Sequence, residues 1–329
     1  MKDIRYLTDH YDKKIQRIKK ANAPLNFVFI SDAHNRLNEY VAGGKPGRFE
    51  LATDAINSIQ YIIERCPEIS FVVSGGDMCN DYNTDPKKVR ESHREVRDAL
   101  YRLSVPVHCC IGNHDDGIGN AIDRGDDTRP FAILPEELHE LYMKNNPTEE
   151  NYYFFDHADT DYRFIFLNTS DKPYYLDEWG QYPFGWRDEI SDEQASWLEE
   201  TLKTAKKVIL SSHAPIHNAG IYGTTHYPVG VKPYEDLLNG PRVYYAIKKS
   251  KNVIAMIAGH VHYDNLLYDN GMVSVTSLCS YAQEWAPGCP ERKFGSVTET
   301  AFDVFSVTDK RIVITRFGAG EDRVSCIMR

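Results

Sequence analysis

The sequence predicts an α/β fold in which apolar strands alternate with amphipathic helices. Between residues 26 and 111, three apolar runs (26–31, 69–74 and 107–111) alternate with two helical patterns (49–65 and 86–103). This β-α-β-α-β order implies parallel neighbouring strands. Two more apolar runs, 208–210 and 253–258, lie further along the chain. All five runs end just before residues that can bind a metal, which predicts one site at the strand ends.

The remaining segments predict the elements around this centre. Residues 1–24 predict an N-terminal helical segment, because apolar residues recur there at helical spacing. Further helices are predicted near 135–144, 191–205 and 233–250, and further strands at 152–156, 163–168, 265–268, 272–276, 302–307 and 312–316. Ser191 and Gln194 have the spacing of a capping box at a helix start. Without a repeat or a convincing linker, residues 1–329 are predicted to form a single domain.

Composition narrows the partners and the compartment. The formal net charge of −10 argues against a broad electrostatic grip on duplex nucleic acid, although bound metals would add positive charge locally. The seven cysteines include no CxxC pair, which favours free thiols in a reducing compartment. The first residues lack the apolar core of a signal peptide, and no apolar run is long enough to span a membrane. We therefore expect a cytoplasmic protein without a membrane partner.

The residues that follow the five strands share oxygen or imidazole donors and include no thiolate. They are Asp32, His34, Asp77, Asn113, His213, His260 and His262. Such donors suit first-row divalent ions such as Mn, Fe, Co, Ni or Zn. Seven ligands are too many for one tetrahedral ion but match two ions that share a carboxylate, and Asp77 is the expected bridge. Two ions about 3.5–4 Å apart are the arrangement used for in-line displacement at phosphorus by a metal-bound hydroxide.

The order and spacing of these clusters resemble the calcineurin-like metallophosphoesterase superfamily, whose motifs read D-x-H, G-D, G-N-H-[DE], H and G-H-x-H. This sequence has all five motifs, in order, between residues 32 and 262. The resemblance implies a sandwich of two sheets flanked by helices, in four αββα layers. It implies one metal held by Asp32, His34, Asp77 and His262, and another held by Asp77, Asn113, His213 and His260. His114 would steady the phosphoryl group or protonate the leaving oxygen.

The second motif departs from two branches of that superfamily. In protein Ser/Thr phosphatases it resembles G-D-x-x-D-R-G, where the later aspartate supports the catalytic histidine. Here Asn80 occupies that place and the arginine is missing, so support for His114 would have to come from Asp81. Purple acid phosphatases would have a tyrosine at position 80.

Four residues near these motifs are predicted to contact the substrate. Candidates are Arg36 and Asn80 near the first two motifs, and His217 and His226 in the loop after His213. Aromatic residues between 174 and 186 and between 281 and 285 fit either a pocket for a base or sugar ring or a packed core. Core packing is the preferred interpretation.

The sequence therefore predicts a two-metal phosphoric ester hydrolase. Its expected substrate is a small phosphodiester or phosphomonoester, such as a nucleotide or a glycerol- or sugar-linked phosphate. A nuclease of the same superfamily is an alternative that the net charge disfavours, and a catalytically silent metal-binding scaffold is another. The choice between monoester and diester, the native metals and the oligomeric state stay open.

Overall fold

The computed structural model describes residues 5–35, 40–41, 45–46, 52–79, 83–216, 237–269, 271–280, 289–293 and 295–327. Five predicted positions lie outside these residues: Arg36, Asn80, Asp81, His217 and His226. In the described part of the chain, no helix combines the length and apolar character needed to cross a membrane.

Helices and strands alternate through most of the described chain. The helices are α1 (Arg5–Ala21), α2 (Ala52–Arg65), α3 (Pro86–Leu100), α4 (Gly119–Arg124), α5 (Pro135–Tyr142), α6 (Asp192–Thr201) and α7 (Gly240–Ser250). The strands are β1 (Leu25–Ile30), β2 (Tyr40–Val41), β3 (Lys45–Pro46), β4 (Ile69–Ser74), β5 (Val107–Cys109), β6 (Tyr153–Asp156), β7 (Tyr162–Phe166), β8 (Lys207–Ser212), β9 (Val253–Ala258), β10 (Asn265–Asp269), β11 (Met272–Thr276), β12 (Ala301–Val307), β13 (Arg311–Gly318) and β14 (Arg323–Cys326).

Two mixed sheets contain nearly all of these strands. The first has the order β14-β13-β12-β1-β4-β5, in which β1, β4 and β5 are parallel and the other pairs are antiparallel. The second has the order β10-β11-β9-β8-β7-β6, in which β11, β9, β8 and β7 are parallel. The five strands that carry the predicted ligands therefore divide between the sheets, with β1, β4 and β5 in the first and β8 and β9 in the second.

Aromatic side chains join the two sheets face to face. Phe27 of β1 stacks on Phe71 and Phe305 within its own sheet, at ring-centroid distances of 5.2 and 5.1 Å. Phe164 of β7 meets the rings of Phe27 and Phe71 edge-on at 5.3 and 4.8 Å. Such edge-to-face pairs add stabilisation beyond area burial. This shared core confirms the predicted sandwich of two sheets.

Helices cover the outer faces of the sandwich. Tyr11 of α1 packs edge-on against Phe317 of β13, with ring centroids 5.2 Å apart. On the second sheet, α6 and α7 contribute Leu198, Val243 and Ile247 to a buried apolar cluster with β7, β8 and β9. The predicted α/β class with flanking helices is confirmed. The extension of one domain over residues 1–329 stays a prediction.

Local predictions differ from the structure mainly at element ends. The Ser191 side chain caps α6 as predicted, accepting a hydrogen bond from the Gln194 backbone N–H. Gln194 does not complete the capping box, because its side chain bonds Asn168 instead. No sequence pattern predicted β2, β3, α4 or β14, which are all short.

Candidate metal centre

The predicted ligands follow the carboxyl ends of β1, β4, β5, β8 and β9 in tight turns. Five of them adopt left-handed backbone conformations that side-chain-bearing residues rarely use: Asp32 (φ 55°), His34 (φ 44°), Asp77 (φ 50°), His260 (φ 68°) and His262 (φ 56°). Each such residue costs of order 1–3 kcal/mol and persists only where its surroundings hold it. Backbone strain is thus concentrated at the ends of these strands.

One group of four side chains forms the first cluster: Asp32, His34, Asp77 and His262, all buried, with donor atoms within 4.8 Å of one another. The Nε2 atoms of His34 and His262 are 3.0 Å apart, and His262 Nε2 lies 3.2 Å from Asp32 Oδ1. Two ligands that are each about 2.1 Å from one ion lie roughly 3.0–3.4 Å apart. These two separations therefore suit a single coordinated cation.

The second cluster shares Asp77 with the first. Asp77, His213 and His260 also hold donor atoms within 4.8 Å of one another. Asn113 Oδ1 lies 3.0 Å from both His213 Nε2 and His260 Nδ1, and Asp77 Oδ2 lies 3.1 Å from His213 Nε2. His213 Nδ1 donates to the Gly75 carbonyl at 2.8 Å, which turns its Nε2 atom toward the cluster. The structure thus brings together all seven predicted ligands in two groups that meet at Asp77.

Burial and charge set the protonation of the first cluster. Burial lowers the pKa of His34 to about 3, so its imidazole is neutral, as a metal ligand must be. Burial alone would raise the pKa of Asp32, but the charge on His262 outweighs it and lowers the pKa to about 2. Although burial favours neutral His262, Cys279 and Asp32 raise its pKa well above the usual range. Binding of a cation here would therefore displace a proton from His262.

The second cluster repeats this pattern. Burial, reinforced by the charge on His213, lowers the pKa of His260 to about 3. Burial also opposes the charge on His213, but Asp77 outweighs it and raises the pKa of His213 to about 10. Burial would raise the pKa of Asp77, yet His213 and His114 hold it well below its usual range. An ionised carboxylate between imidazoles is the donor set that a divalent cation requires, so the residues fit two such ions.

The glycines of two motifs allow the backbone to approach the ligands. A Cβ atom on Gly259 would lie 2.3 Å from Asp32 Oδ2, and one on Gly112 would lie 2.2 Å from Asp77 Oδ1. Both distances are shorter than any van der Waals contact, so a larger residue would push the carboxylates out of place. These glycines are therefore part of the geometry of the centre.

Asp115 ties two ligand-bearing loops together. Its buried carboxylate accepts backbone N–H bonds from Asp77 (2.9 Å), Met78 (2.8 Å), Cys79 (3.3 Å) and Gly112 (2.8 Å). Burial, followed by repulsion from Asp77, raises the pKa of Asp115 to about 7. The loop that carries Asp77 is thereby fixed to the loop that carries Asn113.

Comparison with known proteins decides the family. A model of the calcineurin-like phosphoesterase family matches residues 25–264. The chain belongs to this family. Its fold is similar to a dimetal phosphatase from Danio rerio, at 17% identity and a TM-score of 0.62, with 93% of this chain and 99% of that chain covered. It is also similar to GAP50, the anchor in the inner membrane complex of Plasmodium, at 16% identity and a TM-score of 0.52, with 93% and 89% covered. No curated protein matches the sequence.

Family membership confirms the resemblance found in the sequence and makes the protein a metal-dependent phosphoesterase. The family uses two divalent metal ions, and this chain has two groups of residues that can bind them. The assignment of individual residues to these ions remains a proposal.

His114 of this phosphoesterase lies beside the first cluster. Its ring meets the His34 ring edge-on at 5.0 Å, and its backbone N–H donates to Asp77 Oδ1 at 2.9 Å. A second ring, that of Trp186, lies 4.7 Å from His114. His114 is therefore adjacent to the metal centre, where the sequence predicted it, with an aromatic neighbour that was not predicted.

Sequence reasoning missed Asp188, which lies beside the second cluster in the segment 184–189. Asp188 is buried, and its Oδ2 lies 3.7 Å from His260 Nε2. Burial raises the pKa of Asp188 to about 7, although His213 opposes this shift. No strand precedes Asp188 in the sequence, so the rule that located the seven proposed ligands gave no signal here.

A buried lysine holds this segment in place. Lys172 Nζ donates to the Gly185 carbonyl at 2.5 Å and pairs with Asp116 Oδ2 at 2.5 Å. Asp116 follows His114 by two residues, so one ammonium group links the His114 loop to the segment 184–189. A buried charge without a partner costs free energy. A substitution of either Lys172 or Asp116 is therefore expected to break the whole link.

The preferred interpretation of the aromatic residues as packed core is wrong for three of them. Tyr175, Trp179 and Trp186 are 52%, 75% and 38% exposed. The aromatic stretch 281–285 lies outside the described residues.

Proposed function

We propose that this protein hydrolyses small phosphate esters, either monoesters or diesters, with two divalent cations. The observation that carries the proposal is the meeting of two donor groups at one shared carboxylate, Asp77. When bound, such cations supply positive charge to the phosphoryl oxygens and lower the pKa of water.

We assign one cation to Asp32, His34, Asp77 and His262, and the other to Asp77, Asn113, His213 and His260. Each cation would then have two carboxylate or amide side chains and two imidazoles, with Asp77 counted for both cations. This donor set matches the preferences of Mn, Fe, Co, Ni or Zn. The donor separations near 3 Å and the neutral imidazoles of His34 and His260 support this assignment.

The chain itself then has two tasks. The strained turns and the Asp115 carboxylate hold the ligands before any substrate arrives, which reduces reorganisation during the reaction. His114 is placed beside the centre, where it can steady the phosphoryl group or give a proton to the leaving oxygen.

Turnover of p-nitrophenyl phosphate and bis-p-nitrophenyl phosphate with added Mn²⁺ tests the proposal and separates monoesters from diesters. Asp77→Asn serves as a matched control for contaminating phosphatases, because it keeps the size of the side chain and removes its charge. The proposal is supported if the wild-type protein hydrolyses either compound and Asp77→Asn does not. Metal binding without hydrolysis of either compound would favour a scaffold, and the likeness to an anchor protein is the reason to retain that alternative.

We also propose a cytoplasmic location. All seven cysteines are free, and five of them are buried, which suits a reducing compartment. Fractionation of cells that express the protein would test this, and recovery with secreted proteins would contradict it.

A further inference from the structure

We infer that Trp186 forms the wall of the site that receives the leaving group, and that it favours esters whose leaving group carries a planar ring. This inference rests on the proposed phosphoesterase function and deepens it. The sequence left open whether the leaving group is a nucleoside, a glycerol or a sugar.

The position of Trp186 relative to His114 is the first argument. The centroids of the two rings are 4.7 Å apart with an interplanar angle of 65°. A group that protonates the leaving oxygen must lie next to it, so the substituent on that oxygen must pass close to His114 and hence to the indole. The indole is still 38% exposed, so part of its surface is available for contact.

The indole is also held rigidly. Its Nε1–H donates to Asp123 Oδ2 of α4 at 3.0 Å. Gly119 packs against the indole. A Cβ atom at this position would lie 2.6–2.7 Å from three atoms of the indole ring system, so only a glycine fits there. These two contacts restrict the indole before the substrate binds, and a restricted aromatic surface binds planar groups at low entropic cost.

Two anchors keep this wall aligned with His114. Lys172 bonds the carbonyl of Gly185, directly before Trp186, and the carboxylate of Asp116, two residues after His114. Tyr174 adds a hydrogen bond to the same carboxylate at 3.1 Å. The relative positions of Trp186 and His114 are thus set by buried contacts.

The test compares two esters in wild type, Trp186→Leu and Trp186→Phe, all loaded with Mn²⁺. Phenyl phosphate has a planar leaving group and glycerol 2-phosphate does not. We expect Trp186→Leu to lower kcat/KM for phenyl phosphate ~3–10-fold more than for glycerol 2-phosphate, as expected for the loss of one aromatic contact. Trp186→Phe should restore most of the difference. The matched control is Trp179→Leu, at a 75% exposed tryptophan seven positions before Trp186, which should leave the ratio unchanged.

Binding provides a readout that does not depend on turnover. Calorimetry with phenylphosphonate and methylphosphonate should show weaker binding of phenylphosphonate alone in Trp186→Leu, again by ~3–10-fold. If Trp186→Leu folds poorly, Asp123→Leu removes the indole anchor at an exposed position and should shift the same ratio in the same direction.

The outcomes are distinct. An equal loss for both esters in Trp186→Leu would overturn the inference and reduce Trp186 to a support for His114. Unchanged constants for both esters would overturn it as well. Wild-type protein that hydrolyses neither of these monoesters nor the diester bis-p-nitrophenyl phosphate with Mn²⁺ bound would instead refute the proposed function, and the inference with it.

Discussion

Replacing Asp115 by asparagine should damage both the fold and the metal centre. The carboxylate of Asp115 accepts four backbone N–H bonds at 2.8–3.3 Å, from the loop of Asp77 and from Gly112. An amide has a single acceptor oxygen, and its NH₂ group would face N–H donors. About two of the four buried N–H groups would lose their partner at ~1–3 kcal/mol each, which predicts a loss of ~2–6 kcal/mol in the free energy of unfolding.

Urea denaturation followed by circular dichroism measures this loss. The experiment belongs at pH 8, because the pKa of Asp115 is raised to about 7 and the carboxylate is ionised above it. The same variant should bind Mn²⁺ ~10–100-fold more weakly by calorimetry, since Asp77 loses its support. Asp127→Asn, at an exposed carboxylate, is the matched control. Equal unfolding midpoints and Mn²⁺ affinities in the two variants would refute the role given to Asp115.

Three further predictions concern acid–base help, close packing and acid stability. His114→Ala should keep both metals by elemental analysis and slow hydrolysis by ~10²–10⁴, and loss of metal would show that His114 is a ligand. Gly259→Ala should weaken Mn²⁺ binding, because the new methyl group would meet Asp32 Oδ2 at 2.3 Å, and an unchanged affinity would contradict the close approach. Burial raises the pKa of Asp303, but Arg316 outweighs it and lowers the pKa to about 2. The native state then binds fewer protons than the unfolded chain, so ~2 kcal/mol of stability present above about pH 4 should be lost as the pH falls toward 2. Urea denaturation at pH 6 and pH 3 should show a larger loss of stability in wild type than in Asp303→Asn, and equal losses in the two proteins would argue against this role of Asp303.

The seven proposed ligands could be located from the sequence because each one follows its strand within a few residues. An apolar run and the polar residues after it are local features, and parallel strands place such residues at one edge. The division of the five strands between two sheets has no local signal in the sequence. For example, β1 and β8 are both short apolar runs, yet they belong to different sheets. Only the family resemblance predicted the two-sheet sandwich.

Contacts made by tertiary structure were not predictable in this way. Lys172 and Asp116 lie 56 positions apart in polar surroundings, where charged residues are usually exposed, yet both side chains are fully buried. Asp188 follows an irregular stretch, and only the fold brings it near His260. Trp186 was interpreted as part of a packed core, whereas in the structure it lies beside His114 and is partly exposed.

Metal stoichiometry and position test the central claim most directly. Crystals of the Mn²⁺-loaded protein, measured at an anomalous wavelength, should show two ions per chain, about 3.5–4 Å apart, both in contact with Asp77. Asp77→Ala should bind neither ion and show no hydrolysis. A single ion, two ions at separate places, or near-normal turnover in Asp77→Ala would contradict the account.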